Sequence, residues 1–336
     1  MKLLISFIAF LFPLNAQELI IEPDDGTAPI LQAIDSAESS VDIAIYRLDH
    51  TDVMSSLKQA RLRGVQVRII LNPPINTSNL QSEVDLTPAW EKLKKNEETA
   101  KHLRENGIIV YYASLENLVL FHTKLMIVDS KAAFVTTFNM NQSGFNCGRN
   151  FGYITRNPEQ VENLTSYFNS QITKESLPLP LTTICFDPNY QRNFILLYIL
   201  QTNKTLELYQ ACLIDREMAL YLHLLASIGK KIRILFTPDL FGKDETSYIR
   251  EKLHEVGVEF HYMTSPYVHA KLIIRDGESM LITSCNFWAD GLDRSGELSL
   301  IIDDTEAIHK AKTVFDTDWE NATSSWTATT RSSSLE

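Results

Sequence analysis

The pattern His-x-Lys-x4-Asp occurs twice in this chain, as His122, Lys124 and Asp129 and again as His269, Lys271 and Asp276. Each copy continues alike. A hydroxyl residue stands eight positions after the aspartate and an asparagine ten after it: Thr137 and Asn139 in the first, Ser284 and Asn286 in the second. One such motif arises by chance in on the order of a few per cent of chains this long. Two copies with matching downstream residues do not, so the chain is an internal duplication and must fold as two like units.

The flanking sequence repeats as well. In the first half the periodicity predicts a helix from Ile30, a strand over Val41–Tyr46, a helix over Asp52–Arg63, a break at Gly64 and a strand over Val65–Leu71. The second half predicts helix Asn193–Gln201, strand Thr205–Tyr209, helix Asp215–Ser227, a break at Gly229 and strand Lys231–Phe236. Another helix ending near a glycine follows in each, Ala100–Gly107 and Ser247–Gly257, then a short strand and the hairpin that carries the motif. This order predicts an α/β fold of two tandem repeats, each a β-sheet flanked by helices. The first repeat spans 17–180 and the second 181–322, with the seam near Leu177–Pro188, where Pro178, Pro180 and Pro188 interrupt the pattern.

The halves differ by an insertion around Asn72–Thr99, polar apart from Leu80, Leu86, Trp90 and Leu93. Either an ordinary surface loop and helix or a substrate cover fits it. The charges of Glu91 to Lys101 predict a solvated helix face.

At the start, Met1-Lys2, the apolar run Leu3–Leu14 and Asn15-Ala16 read as a secretory signal peptide over residues 1–16, too short in its apolar part to span a bilayer. That predicts export to a periplasm or to the medium. The Ser/Thr-rich residues 323–336 read as a polar tail. The net charge of −11 is a poor footprint for a long nucleic-acid tract. Four cysteines, Cys147, Cys185, Cys212 and Cys285, lack C-x-x-C spacing and argue against a zinc ribbon or a thioredoxin-like site. Strand alternation turns Cys285 away from Ser284 and Asn286, which predicts a buried free thiol.

Within 120–128 a strand period of two places His122 and Lys124 on one face, with Phe121, Leu125 and Ile127 on the other. The returning strand brings Thr137 and Asn139 to a shared face, and the second copy repeats this with His269, Lys271, Ser284 and Asn286. One such hairpin would cradle a phosphate. Two related by an approximate twofold would set two histidines about one phosphorus, as an in-line displacement requires, one as nucleophile and one as acid for the leaving oxygen. The lysines and asparagines would bind the nonbridging oxygens, so no metal or other cofactor is called for, and no metal-ligand cluster is evident. Asp129 and Asp276 belong to the motif, yet the alternation predicts turn or ion-pair roles for them. Met140, Phe145, Phe287, Trp288 and Leu292 read as core. His50, His102, His223, His254, His261 and His309 have no matching context.

These residues resemble the phospholipase D superfamily, marked by two HxKx4D motifs with a trailing GSxN, and the segment Gly64–Ile69 resembles that family's lead-in. The resemblance covers nearly all of the chain after residue 16. It implies one active site at the interface of two pseudo-twofold repeats, complete in a monomer, where one histidine forms a phosphohistidine and the other protonates the leaving alcohol. His122 and His269 take those roles by resemblance. The implied activity is metal-independent hydrolysis of phospholipid head groups to phosphatidic acid, at a membrane surface. An endonuclease acting on nucleic acid, or a phosphatidyltransferase such as a cardiolipin synthase, uses the same chemistry; a binding protein on the same scaffold is a third class. The family's glycine before the hydroxyl residue is Thr136 here and Thr283 in the second copy, and the shared change implies local repacking. The family often has a histidine-orienting Glu eleven residues after the motif asparagine. Glu297 fits, whereas the first copy has Asn150. A carboxylate makes an imidazole electron-rich, so the expectation is that His269 is the nucleophile and His122 the acid.

Overall fold

The computed structural model describes residues 18–74, 87–175, 177, 182–238 and 247–324. The expected signal peptide, the tail from residue 325, much of the proline seam and the side chains of Leu80, Leu86, Trp90 and Leu93 lie outside them.

Two sheets of one topology carry the two repeats, which are α/β as the sequence predicts. The first runs Leu19–Glu22, Gly148–Thr155, Ala132–Thr136, Lys124–Val128, Ser40–Ile45, Gln66–Leu71, Ile109–Tyr112. The second runs Ile184–Cys185, Ser299–Ile302, Ser279–Thr283, Lys271–Arg275, Thr205–Gln210, Lys231–Phe236, Glu259–Tyr262. In each, the last three strands are parallel and the rest antiparallel. Helices cross over the parallel strands, Thr51–Leu62 in the first repeat and Arg216–Ser227 in the second. Gly64 and Gly229 follow them with φ of 95° and 87°, a backbone that only glycine adopts freely.

Alternation along the strands divides the apolar side chains between three cores. Leu125, Ile127, Val135 and Phe151 of the first repeat share a central core with Leu272, Ile274, Ile282 and Leu300 of the second, closed by Tyr167, Phe168 and Phe315 from helices Pro158–Thr173 and Thr305–Asn321. The opposite parity, Ile43, Ile45 and Met126, packs under the outer helices of the first repeat, and Leu206, Leu208 and Ile273 under those of the second. The sheets therefore meet across a common core, and that shared burial locks the two repeats together.

In the insertion, helix Thr87–Glu105 begins before the Ala100 that the periodicity indicates. Its described charged residues Lys94, Lys95, Glu97, Glu98 and Lys101 are exposed, while Asn96, Thr99 and Ala100 are buried. All four cysteines are free thiols, and Cys285 is fully buried as its parity predicts. Met140, Phe145, Phe287 and Leu292 are core residues; Trp288 is half-buried.

Candidate active site

The strand that alternation predicts through His122 and Lys124 is broken at His122 and Thr123. Leu120–Phe121 leaves its own sheet and pairs in parallel with Ser295–Gly296 of the second repeat. Only from Lys124 does the chain rejoin its own sheet. The second copy mirrors this, with Tyr267–Val268 pairing in parallel with Gly148 and Arg149 of the first repeat. The exchanged backbone holds each histidine: the His122 amide donates to Gly296 O at 2.8 Å, and the His269 amide to Arg149 O at 3.1 Å. The preceding amides are also captured, Phe121 N–H by Asn72 Oδ1 at 2.8 Å and Val268 N–H by Thr237 Oγ1 at 2.7 Å.

Consequently each imidazole is oriented by the other repeat. His122 Nδ1 lies 3.0 Å from both Glu297 oxygens, and His269 Nδ1 lies 3.0 Å from Asn150 Oδ1. This corrects the expectation that Glu297 serves the histidine of its own copy. The physical reason is the exchange: the strand bearing Glu297 runs beside the segment leading into His122. The carboxylate therefore stands behind His122 and the carboxamide behind His269. Of phosphate binding and orienting, the two roles open to the hydroxyl residues Thr137 and Ser284, the geometry fits the second. Ser284 Oγ donates to Glu297 and Thr137 Oγ1 donates to Asn150 Oδ1 at 3.0 Å, while the hydroxyl oxygens accept from the Leu298 and Phe151 amides, each at 2.9 Å. They position the orienting residues instead of offering themselves to a phosphate.

Lys124 and Lys271 are fully buried, and each Nζ donates to the carbonyl of its own motif histidine at 2.7 Å. Burial drives Lys124 well below its ordinary pKa and Lys271 down to about 8, with Glu297 opposing both. Lys271 depresses Lys124 and His122, so the two copies form one electrostatic site. Burial pushes His122 down to about 4, Glu297 opposes that, and Lys124 adds to it. The Glu297 carboxyl is held below its usual value against the rise that burial imposes, by an imidazolium at His122 where that ring is charged, by the His122 and Ser284 hydrogen bonds, and by Lys124. At neutral pH Glu297 is thus an acceptor, His122 is a neutral imidazole with its proton on Nδ1, and the Nε2 lone pair is left for chemistry. Tyr46 packs edge-on to His122 at 5.2 Å, with Lys124 Nζ 5.8 Å from its ring centre, and burial keeps its phenol neutral.

Asn139 and Asn286 each hold a buried Oδ1 without a hydrogen-bond partner, an acceptor free for a donor on a ligand, while a phosphate oxygen would be met by their Nδ2 groups. Asp129 and Asp276 stand away from this chemistry. Asp129 accepts from the amides of Glu38, Ser39 and Ser40, and Asp276 from those of Asn203, Lys204 and Thr205. They anchor the turns that feed strands Ser40–Ile45 and Thr205–Gln210, the turn role that the alternation predicts, by amide capture and not by an ion pair. The glycine-to-threonine changes are absorbed locally. Thr136 donates to Phe138 O at 2.9 Å and sits opposite Gly152, where an added Cβ would come within 3.0 Å of its methyl; Thr283 accepts from the Ser299 hydroxyl at 2.6 Å.

Sequence reasoning missed several residues. Gly144 and Gly291 both follow the motif asparagine by five positions, and a Cβ there would meet Asn139 O at 2.1 Å or Asn286 O at 2.6 Å. That shared spacing was a signal available in the sequence. Tyr46, Asn72 and Asn96 had none, because their roles depend on the insertion: Asn96 Nδ2 donates to Tyr46 O at 2.7 Å and to Asn72 O at 3.0 Å, tying the inserted helix to the wall beside His122.

The family described as "Cardiolipin synthase, PLD-like domain" matches residues 30–172 and 195–319, one segment per repeat. No curated protein matches the chain. Among solved structures, phosphatidylserine synthase from Haemophilus influenzae superposes with a TM-score of 0.67 at 12% identity, over 91% of this chain and 86% of that one. Polyphosphate kinase from Porphyromonas gingivalis gives 0.67 at 14% identity, over 90% of this chain and 47% of that one, so the chain spans about half of that enzyme. At such identities the structures establish a shared fold, while the family match reaches both motif hairpins. With two matched domains meeting around two His-Lys pairs, the chain belongs to the phospholipase D superfamily, as a tandem pair of its cardiolipin synthase-type PLD-like domains.

Proposed function

We propose that the protein is a phospholipid phosphodiesterase that forms a phosphohistidine on His122. The observation that carries this reading is the single buried site built from both repeats, in which each imidazole is backed by an acceptor from the other copy. The His122 Nε2–P bond forms as the P–O bond to the head-group alcohol breaks, and the leaving alkoxide takes a proton from His269. His269 then takes a proton from water as its oxygen attacks phosphorus, His122 leaves, and phosphatidic acid is released. Lys124, Lys271, Asn139 and Asn286 neutralise and bind the nonbridging oxygens, the work a metal does in other phosphodiesterases. Among the described residues no group of three or more His, Cys, Asp or Glu is placed to hold a metal ion.

The net charge of −11 supports a lipid over a nucleic-acid substrate. Both halves of the site come from one chain, which supports activity as a monomer, and the first sixteen residues support export. Among the described residues no helix is long and apolar enough to cross a membrane. A second reading, transfer of the phosphatidyl group to an alcohol, is favoured by the cardiolipin synthase-type match and by the likeness to phosphatidylserine synthase.

The test is turnover with EDTA present of phosphatidylcholine, cardiolipin and single-stranded DNA, using wild type and His269→Ala, with and without glycerol. Phosphatidic acid from wild type alone is the expected result. Exchange product in place of phosphatidic acid at low glycerol selects the transferase, and DNA cleavage with intact lipids overturns the lipid reading. The dependence of kcat/KM on pH follows from the free enzyme. His122 must be deprotonated, so activity falls below about pH 4; His269, Lys124 and Lys271 must hold their protons, so the alkaline limb begins no later than the loss of the Lys271 proton at about pH 8. An acid limb near pH 6.5 would show that His122 is not the buried neutral base.

A further inference from the structure

In the insertion, helix Thr87–Glu105 turns Asn96, Thr99, Ala100 and Leu103 inward at the spacing of one helix face. Asn96 is the misfit among them. Asparagine is a poor helix former, this one is fully buried, and its Oδ1 has no hydrogen-bond partner. A position that served packing alone would hold an apolar side chain, as Ala100 and Leu103 do. What Asn96 gains is two donor bonds, from Nδ2 to Tyr46 O at 2.7 Å and to Asn72 O at 3.0 Å.

Both acceptors belong to residues that hold the chain around His122. Asn72 Oδ1 accepts the Phe121 amide at 2.8 Å, and the Tyr46 amide donates to Thr123 O at 3.0 Å, with the Tyr46 ring edge-on to the imidazole at 5.2 Å. The neighbours of His122 on either side are thus gripped by two residues that one buried amide ties together. The grip matters because the strand is broken at His122 and Thr123, where the ladder of its own sheet does not reach. The second copy is mounted otherwise. The Val268 amide goes to Thr237 Oγ1, which donates in turn to Met263 O, and Ala211 stands at the register position of Tyr46.

An attacking nitrogen must stand about 3 Å from phosphorus and in line with the leaving oxygen, and a misplacement of about 1 Å costs about a hundredfold in rate. A proton donor works through a hydrogen bond, whose geometry is broader. We propose that Asn96 and Asn72 are positioning residues for the attack on phosphorus: together they fix the backbone on either side of His122, so that Nε2 is already in line when the diester arrives. This rests on the reading above, in which His122 is the nucleophile. Their effect falls on the formation of the phosphohistidine, in which the Nε2–P bond forms as the P–O bond to the leaving group breaks. It falls far less on hydrolysis, where the attacking atom is the oxygen of water.

The first step is read alone in the His269→Ala protein, where bis(4-nitrophenyl) phosphate releases a 4-nitrophenolate that needs no proton and the phosphohistidine stays. The amplitude of this burst counts folded sites, and its rate constant measures the attack. Asn96→Ala, added to His269→Ala, is expected to slow the burst about thirtyfold at saturating diester while the amplitude stays near one nitrophenolate per folded chain. Asn72→Ala in the same background should act alike, and the two together should slow the burst far less than the product of their separate effects, because they are links of one chain of bonds. A loss of folding lowers only the amplitude, so a destabilised variant still yields the rate constant. An unchanged rate constant, whatever the amplitude, would show that the asparagines merely support the fold and would overturn the proposal; so would separate effects that multiply in full. No burst from His269→Ala, or no turnover by wild type, would remove the phosphohistidine reading and the proposal with it, a failure distinct from an unaltered rate in Asn96→Ala.

Discussion

His122→Ala is expected to abolish turnover of every phosphodiester, by about four orders of magnitude or more, whereas His269→Ala should still be phosphorylated by an ester with a good leaving group. The difference follows from the crossed pairing. Glu297 fixes the His122 proton on Nδ1 and leaves Nε2 as the attacking lone pair, so without His122 the covalent route is gone. Without His269 the first step survives where no acid is needed, but water lacks its base and the intermediate should accumulate. Intact mass measurement after mixing His269→Ala with bis(4-nitrophenyl) phosphate should show one added phosphoryl ester, and peptide mapping should place it on His122. Label on His269 in the reciprocal His122→Ala protein, with none here, would reverse the roles.

Glu297→Gln should lower kcat by about a thousandfold while changing KM far less. An amide can present N–H to His122 Nδ1, which moves the imidazole proton to Nε2 and removes the nucleophilic lone pair, the same tautomer error that disables a histidine whose carboxylate partner is amidated in hydrolase triads. The fold should suffer as well. Glu297 is the carboxylate that opposes the burial penalty of both Lys124 and Lys271, and breaking a buried pair of this kind costs about 3 kcal/mol. Because its folded pKa lies below the ordinary 4.5, the stabilisation is present above that value and is lost as pH falls through the folded pKa. Chemical denaturation of the two proteins at pH 7 and at pH 3 should therefore show a gap that narrows on acidification. A Gln variant with wild-type kcat would show that the carboxylate does not set the tautomer.

Much of the molecule was legible without coordinates, for local reasons. The order of strands and helices in each repeat follows from periods of two and 3.6 and from the glycines at 64 and 229, which stop two helices at the same point in each copy. The burial of Cys285 follows from the parity of one strand. Alternation failed at His122, because the chain breaks its strand there to pair with the other repeat, and no local period encodes such a choice. Asn96 and Tyr46 were invisible for a related reason, since a helix placed by the insertion gives them their contacts.

The duplication by itself determined that there are two like units and that each offers an imidazole, an ammonium and a carboxamide, and the resemblance those motifs carry pointed to the phospholipase D superfamily. Only the tertiary structure decided which copy serves which. Repeats of equal pattern can pair within themselves or with each other, and the outcome depends on contacts between residues such as His122 and Glu297, 175 positions apart, formed when two sheets bury a common core. That exchange moved the carboxylate from one histidine to the other.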